Sequence, residues 1–244
     1  MKDILLEAKG ISHSFGGVKA VQNVSFYIAR GEVLGLIGPN GSGKSTIVNM
    51  ITGVVSLDTG EVIYEGKTLN QRLGIAQRCR LGMARTFQSP RPFGNLSVYN
   101  NIFAIALLKY NFAEAAKKTE YILELTGLKP LECFISSKLS VEKRKWLDLA
   151  RALATEPKLI MMDEVMAGLN PSEMEESLKL VRKINQEEGT TILFIEHVMR
   201  AVVNVCSRVI VLNEGRLLCE GQPDEVLRRK EVVEAYLGGG YSHA

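Results

Sequence analysis

The segment GPNGSGKS, Gly38 to Ser45, satisfies the pattern G-x-x-x-x-G-K-[ST], follows the apolar run VLGLI directly and opens a segment with helical spacing. Each residue type has a task at a nucleotide's phosphates. The glycines let the backbone wrap so that its N–H groups converge on phosphate oxygens, Lys44 neutralises charge on the β- and γ-phosphates, and the Ser45 hydroxyl completes a Mg²⁺ shell. The nucleotide-binding set is therefore Gly38, Pro39, Asn40, Gly41, Ser42, Gly43, Lys44, Ser45 and the adjoining Thr46. A second signal is LIMMDE, Leu159 to Glu164, an apolar run of buried-strand type that delivers two carboxylates at its end. There Asp163 is placed to hold Mg²⁺ and Glu164 to orient or deprotonate an attacking water. A third stretch, LSVEKRKW from Leu139 to Trp146, reads first as a capped helix: Ser140 accepts a free N–H of the first turn, and Glu142 sits where the helix dipole favours an anion.

The elements that must carry these residues alternate along the chain. The opening ILLEAKGISHSF and VQNVSFYIARGEVLGLIG is β-branched and aromatic, with Gly and Asn breaks, and predicts a β-rich start. A helix is expected from Gly43 to about Thr52, then a hairpin-like GEVIYEG. From about Ser89 to Lys138 the pattern is mostly helical, entered through Pro90, Pro92 and Gly94. After it come a helix from near Ser140, the strand KLIMMDE, a helix opened by Asn170 and Pro171 with Glu173 in capping-box position, the strand TTILFIEH, and a hairpin around VIVLNEGRLLCEG. Short apolar runs separated by helices imply βαβ units and a largely parallel sheet covered on both faces.

Composition narrows the class. With 244 residues and 46% hydrophobic content the chain can bury a large core. The net charge of +3 is not concentrated in a long Lys/Arg block, so dedicated nucleic-acid binding is not indicated. Cys79, Cys133, Cys206 and Cys219 are scattered, with no CxxC pair, and read as buried or incidental thiols of a reducing compartment. Acidic residues interrupt MKDILLEAKG, which is not expected to be a signal peptide. The best apolar run, NIFAIALL, is far short of the ~20 residues a membrane span needs, so a membrane role requires a partner to hold the chain there.

With the phosphate loop and the strand-end carboxylates in place, the chain resembles the ATP-binding subunits of ABC transporters. The resemblance implies an α/β P-loop NTPase fold: a RecA-like, mostly parallel sheet core with an N-terminal antiparallel β subdomain and an inserted helical subdomain at about 89–155, all one nucleotide-binding domain over 1–244. It implies that Phe15, in HSFGG, stacks on adenine. Gln88, in ARTFQ, matches the family's Q-loop glutamine that senses Mg²⁺ and the attacking water, and His197, in FIEH, matches the switch histidine that contacts the γ-phosphate. The implied catalytic set is Glu164, His197 and Gln88; the implied metal set is Ser45, Gln88 and Asp163. AGLN, Ala167 to Asn170, stands in the place of the D-loop, with Asn170 where many members carry Asp.

ARTFQ, DEVMAGLNP and the closing EGQPDEVLRRKEVVEAYLGGGY look like the ATPase subunits of hydrophobic amino acid importers, the branched-chain (LivG-type) branch. Such a subunit pairs with a second ATP-binding subunit, usually as a heterodimer, beneath two membrane-spanning permeases served by an extracytoplasmic solute-binding protein, at the cytoplasmic face of the membrane. ATP and Mg²⁺ are the implied cofactors. Related systems carry amides or urea, and cargo choice belongs to the binding protein and permeases. A small-molecule P-loop kinase would share the phosphate loop and Asp163 but has no use for Gln88, the Asn170 region and His197 in this order. A soluble ABC protein acting on DNA or ribosomes usually carries two cassettes or long coiled coils.

In this family LSVEKRKW takes the place of the signature LSGGQ, and Ser140, while capping its own helix, would face the partner's γ-phosphate. Glu142 replaces the second glycine and Lys143 the usual Gln. A carboxylate ~5 Å from a phosphate charge costs on the order of 3 kcal/mol per charge pair at an effective dielectric of 20. The expectation is that Glu142 swings away or is offset by Lys143 and Arg144, and that the composite site using this signature is weakened.

Overall fold

The computed structural model describes residues 3–237. The chain opens with two long strands, β1 (Ile4–Phe15) and β2 (Val18–Ala29), then β3 (Val33–Ile37), α1 (Lys44–Thr52), β4 (Thr59–Tyr64), β5 (Lys67–Thr68), α2 (Ile75–Arg80) and β6 (Met83–Arg85). The helices α3 (Val98–Ala106), α4 (Phe112–Leu125) and α5 (Val141–Leu153) follow, and then β7 (Leu159–Asp163), α6 (Pro171–Glu188), β8 (Thr191–Ile195) and α7 (Met199–Val205). The described chain ends through β9 (Arg208–Asn213), β10 (Arg216–Gly221), α8 (Pro223–Val226) and α9 (Lys230–Leu237).

Two sheets result. β1 pairs antiparallel with β2 and β4 in a sheet of order β2-β1-β4-β5. The second sheet has order β10-β9-β3-β8-β7-β6 and is parallel except for the β9–β10 hairpin. β3, β7 and β8 are buried along their whole length, which is what a five-residue apolar run in a doubly covered sheet requires. Their side chains alternate between two cores: Val33, Ile160, Met162, Ile192 and Phe194 join α3, α4, α5 and α6 on one face. Leu34, Leu36, Met161, Leu193 and Ile195 join α1 and the antiparallel sheet on the other. The phosphate-loop helix α1 is thus held between the two sheets.

β6 and β7 are adjacent and parallel, with Met83 opposite Leu159, so α3, α4 and α5 form an insertion in the crossover between neighbouring strands. The hairpin turns follow local chemistry: Glu65-Gly66 and Glu214-Gly215 both have positive φ at each residue, the type I′ geometry that matches strand twist. The segment between β5 and Gln88, unassigned from sequence, carries α2 and β6. Both are too short for periodicity to reveal, and α2 is fixed by a tertiary contact: the buried Arg78 guanidinium donates to the carbonyls of Met50 (2.8 Å) and Ile51 (2.6 Å) at the end of α1. The closing part of EGQPDEVLRRKEVVEAYLGGGY, Gly238 to Tyr241, lies outside the described residues.

Candidate functional site

The loop from Gly38 to Gly43 links β3 to α1 at the C-terminal edge of the parallel sheet. Gly43 has φ +104°, and a Cβ there would stand 2.5 Å from the Ala20 carbonyl of β2; only glycine fits. Gly38, at φ +150°, likewise lies against the Leu212 carbonyl of β9. These close approaches leave the first free N–H groups of α1 aimed out of the loop, an anion-binding end. Lys44 is 6% exposed and its Nζ donates to the carbonyls of Gly38 (2.8 Å) and Pro39 (2.9 Å). Burial lowers its pKa, opposed by the nearby Glu164 and Asp163. Ser42 Oγ is buried without a protein partner.

Three predicted residues from separate elements meet at one point. Glu164, just past β7, has its carboxylate between Gln88 and His197: Gln88 Nε2 donates to Oε2 at 2.5 Å, and His197 Nε2 lies 2.5 Å from Oε1. With Pro39, Asn40 and Tyr236 they line a recess of about 410 Å³ beside the phosphate loop. Glu164 is held at φ +52°, a left-handed conformation that a non-glycine residue keeps only when its surroundings enforce it. The enforcing contacts include its own N–H, which donates to the Ile195 carbonyl at 2.9 Å.

Ser45, Gln88 and Asp163 line a second, larger cleft of about 820 Å³ between α1 and the helical insertion. A hydroxyl, an amide oxygen and a carboxylate are hard oxygen donors, the set that fits Mg²⁺ bound also to phosphate and water. Among the described residues no three His, Cys, Asp or Glu side chains gather into a metal cage, so these ligands suit a shared rather than an all-protein ion site. Asp163 is buried, which raises its pKa; Arg85 Nη2, 3.2 Å away, works against that shift.

Two predicted residues lie elsewhere. Phe15, at the end of β1 where the β1–β2 hairpin turns, is 49% exposed with its ring edge-on to His13 at 4.4 Å, and it lines neither the Glu164 recess nor the larger cleft. Ser140 caps α5, accepting the Lys143 N–H at 3.2 Å, is exposed, and is not among the residues that line the recess. Glu142 is paired: Lys143 Nζ sits 3.3 Å from its carboxylate and 3.6 Å over the Trp146 ring, so a cation held on an aromatic face offsets the acid's charge.

Sequence reasoning missed several residues. Tyr236 of α9 reaches the recess with its hydroxyl against the Gly38 backbone, and burial pushes that hydroxyl up to about 12. Lys145 and Asp148 of α5 and Glu196 at the end of β8 are buried charges behind the site. Only Glu196 left a trace, as a carboxylate in the otherwise apolar run before His197.

A family model described as ABC transporter matches residues 21–167, and one described as branched-chain amino acid ATP-binding cassette transporter matches 216–242. The sequence is 35% identical, over 98% of this chain and 99% of the relative, to the high-affinity branched-chain amino acid transport ATP-binding protein LivG of Salmonella typhimurium. It is 30% identical, over 96% of this chain and 98% of the relative, to the corresponding protein BraF of Pseudomonas aeruginosa. Among solved structures, the ADP conformation of an ATP-binding cassette of an ABC transporter superposes with a TM-score of 0.86 at 32% identity, covering 96% of this chain and 99% of that one.

Proposed function

The chain belongs to the ABC transporter family of ATP-binding subunits, and from that premise we propose that it powers an importer for branched-chain or other hydrophobic amino acids. The observation that carries the chemistry is the cluster of Glu164, Gln88 and His197 beside the phosphate loop. Likeness over nearly the whole length to LivG, together with the C-terminal match at 216–242, supports the cargo class. The chain is one cassette over 1–244, with the helices of about 89–155 as an inserted subdomain.

In this reading the loop amides and Lys44 hold the β- and γ-phosphates and Phe15 stacks on the adenine. Ser45, Gln88 and Asp163 hold Mg²⁺, which neutralises charge developing on the phosphoryl oxygens. Glu164 accepts a proton from the attacking water, while His197 and Gln88 fix the carboxylate so that it points at one place. Ser140 serves the ATP of a second ATP-binding subunit, so binding closes the pair and hydrolysis reopens it. The helical insertion, above all SPRPFGNLSVYNN after Gln88, contacts a permease segment and turns closure into movement of the two membrane subunits. No helix of the described residues is long and apolar enough to cross a membrane, consistent with a peripheral place at its cytoplasmic face beneath the permeases. The extracytoplasmic binding protein supplies the substrate.

The test is reconstitution of the chain with branched-chain amino acid permeases, a second ATP-binding subunit and a solute-binding protein. Phosphate release should rise several-fold when the binding protein is loaded with leucine, isoleucine or valine. Stimulation by urea or a short amide alone would move the cargo assignment, and phosphorylation of a metabolite would overturn the transport reading.

The same assembly tests the signature. Removing the carboxylate in Glu142→Gly should raise turnover, but by less than tenfold, because Lys143 already neutralises much of that charge. The gain is also reduced by the helix cost of glycine, up to about 1 kcal/mol. An unchanged or lower rate would remove Glu142 as the cause of a weakened site.

A further inference from the structure

α5 carries two buried charges one turn apart, each bonded to the backbone of a different loop, and Asp148 also pairs with Arg151 of its own helix at 3.5 Å. Lys145 is 8% exposed, and its Nζ donates to the carbonyls of Glu164 (3.1 Å) and Ala167 (2.6 Å), with the Val165 carbonyl at 3.5 Å. Asp148 is 7% exposed, and its Oδ2 accepts the N–H of Phe87, the residue before Gln88, at 3.0 Å. The fully buried Glu196 accepts the Met166 N–H of the same first loop at 2.7 Å and the His197 N–H at 3.3 Å. The loop that holds Glu164 in its left-handed conformation is therefore gripped by a cation on its carbonyls and an anion on its amide.

A buried ammonium and two buried carboxylates are costly unless hydrogen-bonded, and three neutral apolar residues would fill the same space more cheaply. What the charges supply is direction. Charge-assisted bonds to backbone groups are shorter and stronger than neutral ones, and they fix a loop rather than merely cover it. The capped end of the same helix, at Ser140, lies five residues before Lys145.

We infer that Lys145 and Asp148 are positioning residues, through which the signature helix sets the placement of Glu164 and Gln88 in its own subunit. This rests on the roles assigned above to Glu164 and Ser140. If those hold, α5 touches both ATP sites of a paired assembly: its N-terminus meets the partner's nucleotide while its buried side chains hold the hydrolytic cluster of the other. A shift of α5 on closure is then transmitted to Glu164 through two hydrogen-bonded backbones, without any intervening ligand.

The experiment uses the full chain in the assembled transporter. Misplacing a catalytic group by about 1 Å can cost about 10²-fold. Lys145→Met should therefore lower kcat by about 10- to 100-fold, with the KM for ATP changed less than about twofold, and Lys145→Arg should restore most of the rate. Asp148→Ala and Asp148→Asn form an independent pair with the same pattern, since Asn keeps an acceptor for the Phe87 N–H. Because Lys145 acts through Glu164, Lys145→Met placed in the Glu164→Gln background should cause no further loss. A wild-type kcat in both Lys145→Met and Asp148→Ala overturns the inference, as does a loss seen only in KM, a loss that Arg and Asn do not repair, or full additivity in the double variant. If Glu164→Gln itself turns over at the wild-type rate, the assignment of Glu164 fails instead.

Discussion

Glu164→Gln should slow ATP hydrolysis by about 10²- to 10⁴-fold, the range for removing a positioned general base, while ATP affinity stays within a few-fold of wild type. Glutamine keeps the shape of the side chain, so the left-handed backbone at φ +52° and its anchor to the Ile195 carbonyl are undisturbed. What changes is the proton affinity of the side chain held between Gln88 and His197 in the recess. Gln88 and His197 each touch a carboxylate oxygen at 2.5 Å, and an amide can satisfy only one of these contacts in the same sense. Phosphate loop and Lys44 are untouched, so nucleotide still binds and the bound, closed pair should accumulate. Single-turnover phosphate release with parallel nucleotide binding separates the two effects. Loss of affinity together with rate would make Glu164 a binding residue, and an unaltered rate would require another base.

The parts legible in the sequence were those in which a short run dictates its own geometry. GPNGSGKS names a loop that glycine alone can trace, and the approach of Ala20 to Gly43 is the contact that demands it. VLGLI, LIMMD and TILFI are uninterrupted apolar runs because both their faces are covered. Asn170, Pro171 and Glu173 announce α6 because capping is a local matter, and the Asn170 side chain accepts the N–H of Ser172 and Glu173, both at 3.0 Å. The meeting of Gln88, Glu164 and His197 was not legible from spacing; it came from family likeness, since three chain segments must converge on it. Lys145 and Asp148 carry no signal in the sequence, because a charge buried by tertiary packing has the same local pattern as one in water. Tyr236 stood almost the length of the chain away from the loop it covers. Glu142 was recognisable as a departure, but its pairing with a Lys143 seated on the Trp146 ring is a packing contact that spacing does not announce.

Lys44→Met should abolish nucleotide binding at ordinary concentrations while leaving the empty protein at least as stable as wild type. The ammonium is buried and donates to the Gly38 and Pro39 carbonyls, yet burial lowers its pKa, so in the folded chain without nucleotide the charged form is disfavoured relative to the unfolded chain. The sign follows: below its lowered folded value the protonated lysine subtracts from stability in full, and this cost is relieved progressively as pH rises from that value to the ordinary lysine value of the unfolded chain. Methionine removes the charge and fills a similar volume. Opposite a phosphate at about 4 Å, the same charge is worth about 4 kcal/mol at an effective dielectric of 20, which corresponds to roughly a thousandfold in affinity. Wild-type protein at a nucleotide concentration a hundredfold above Kd should gain about 2.7 kcal/mol, or about 5–10 °C in Tm for a chain of this length. The variant should melt at or slightly above the wild-type nucleotide-free temperature and show no rise with Mg-ATP. A variant that melts well below that temperature would give Lys44 a structural duty through its two carbonyl contacts, and one that keeps the full ATP-induced rise would move phosphate recognition to the loop amides alone.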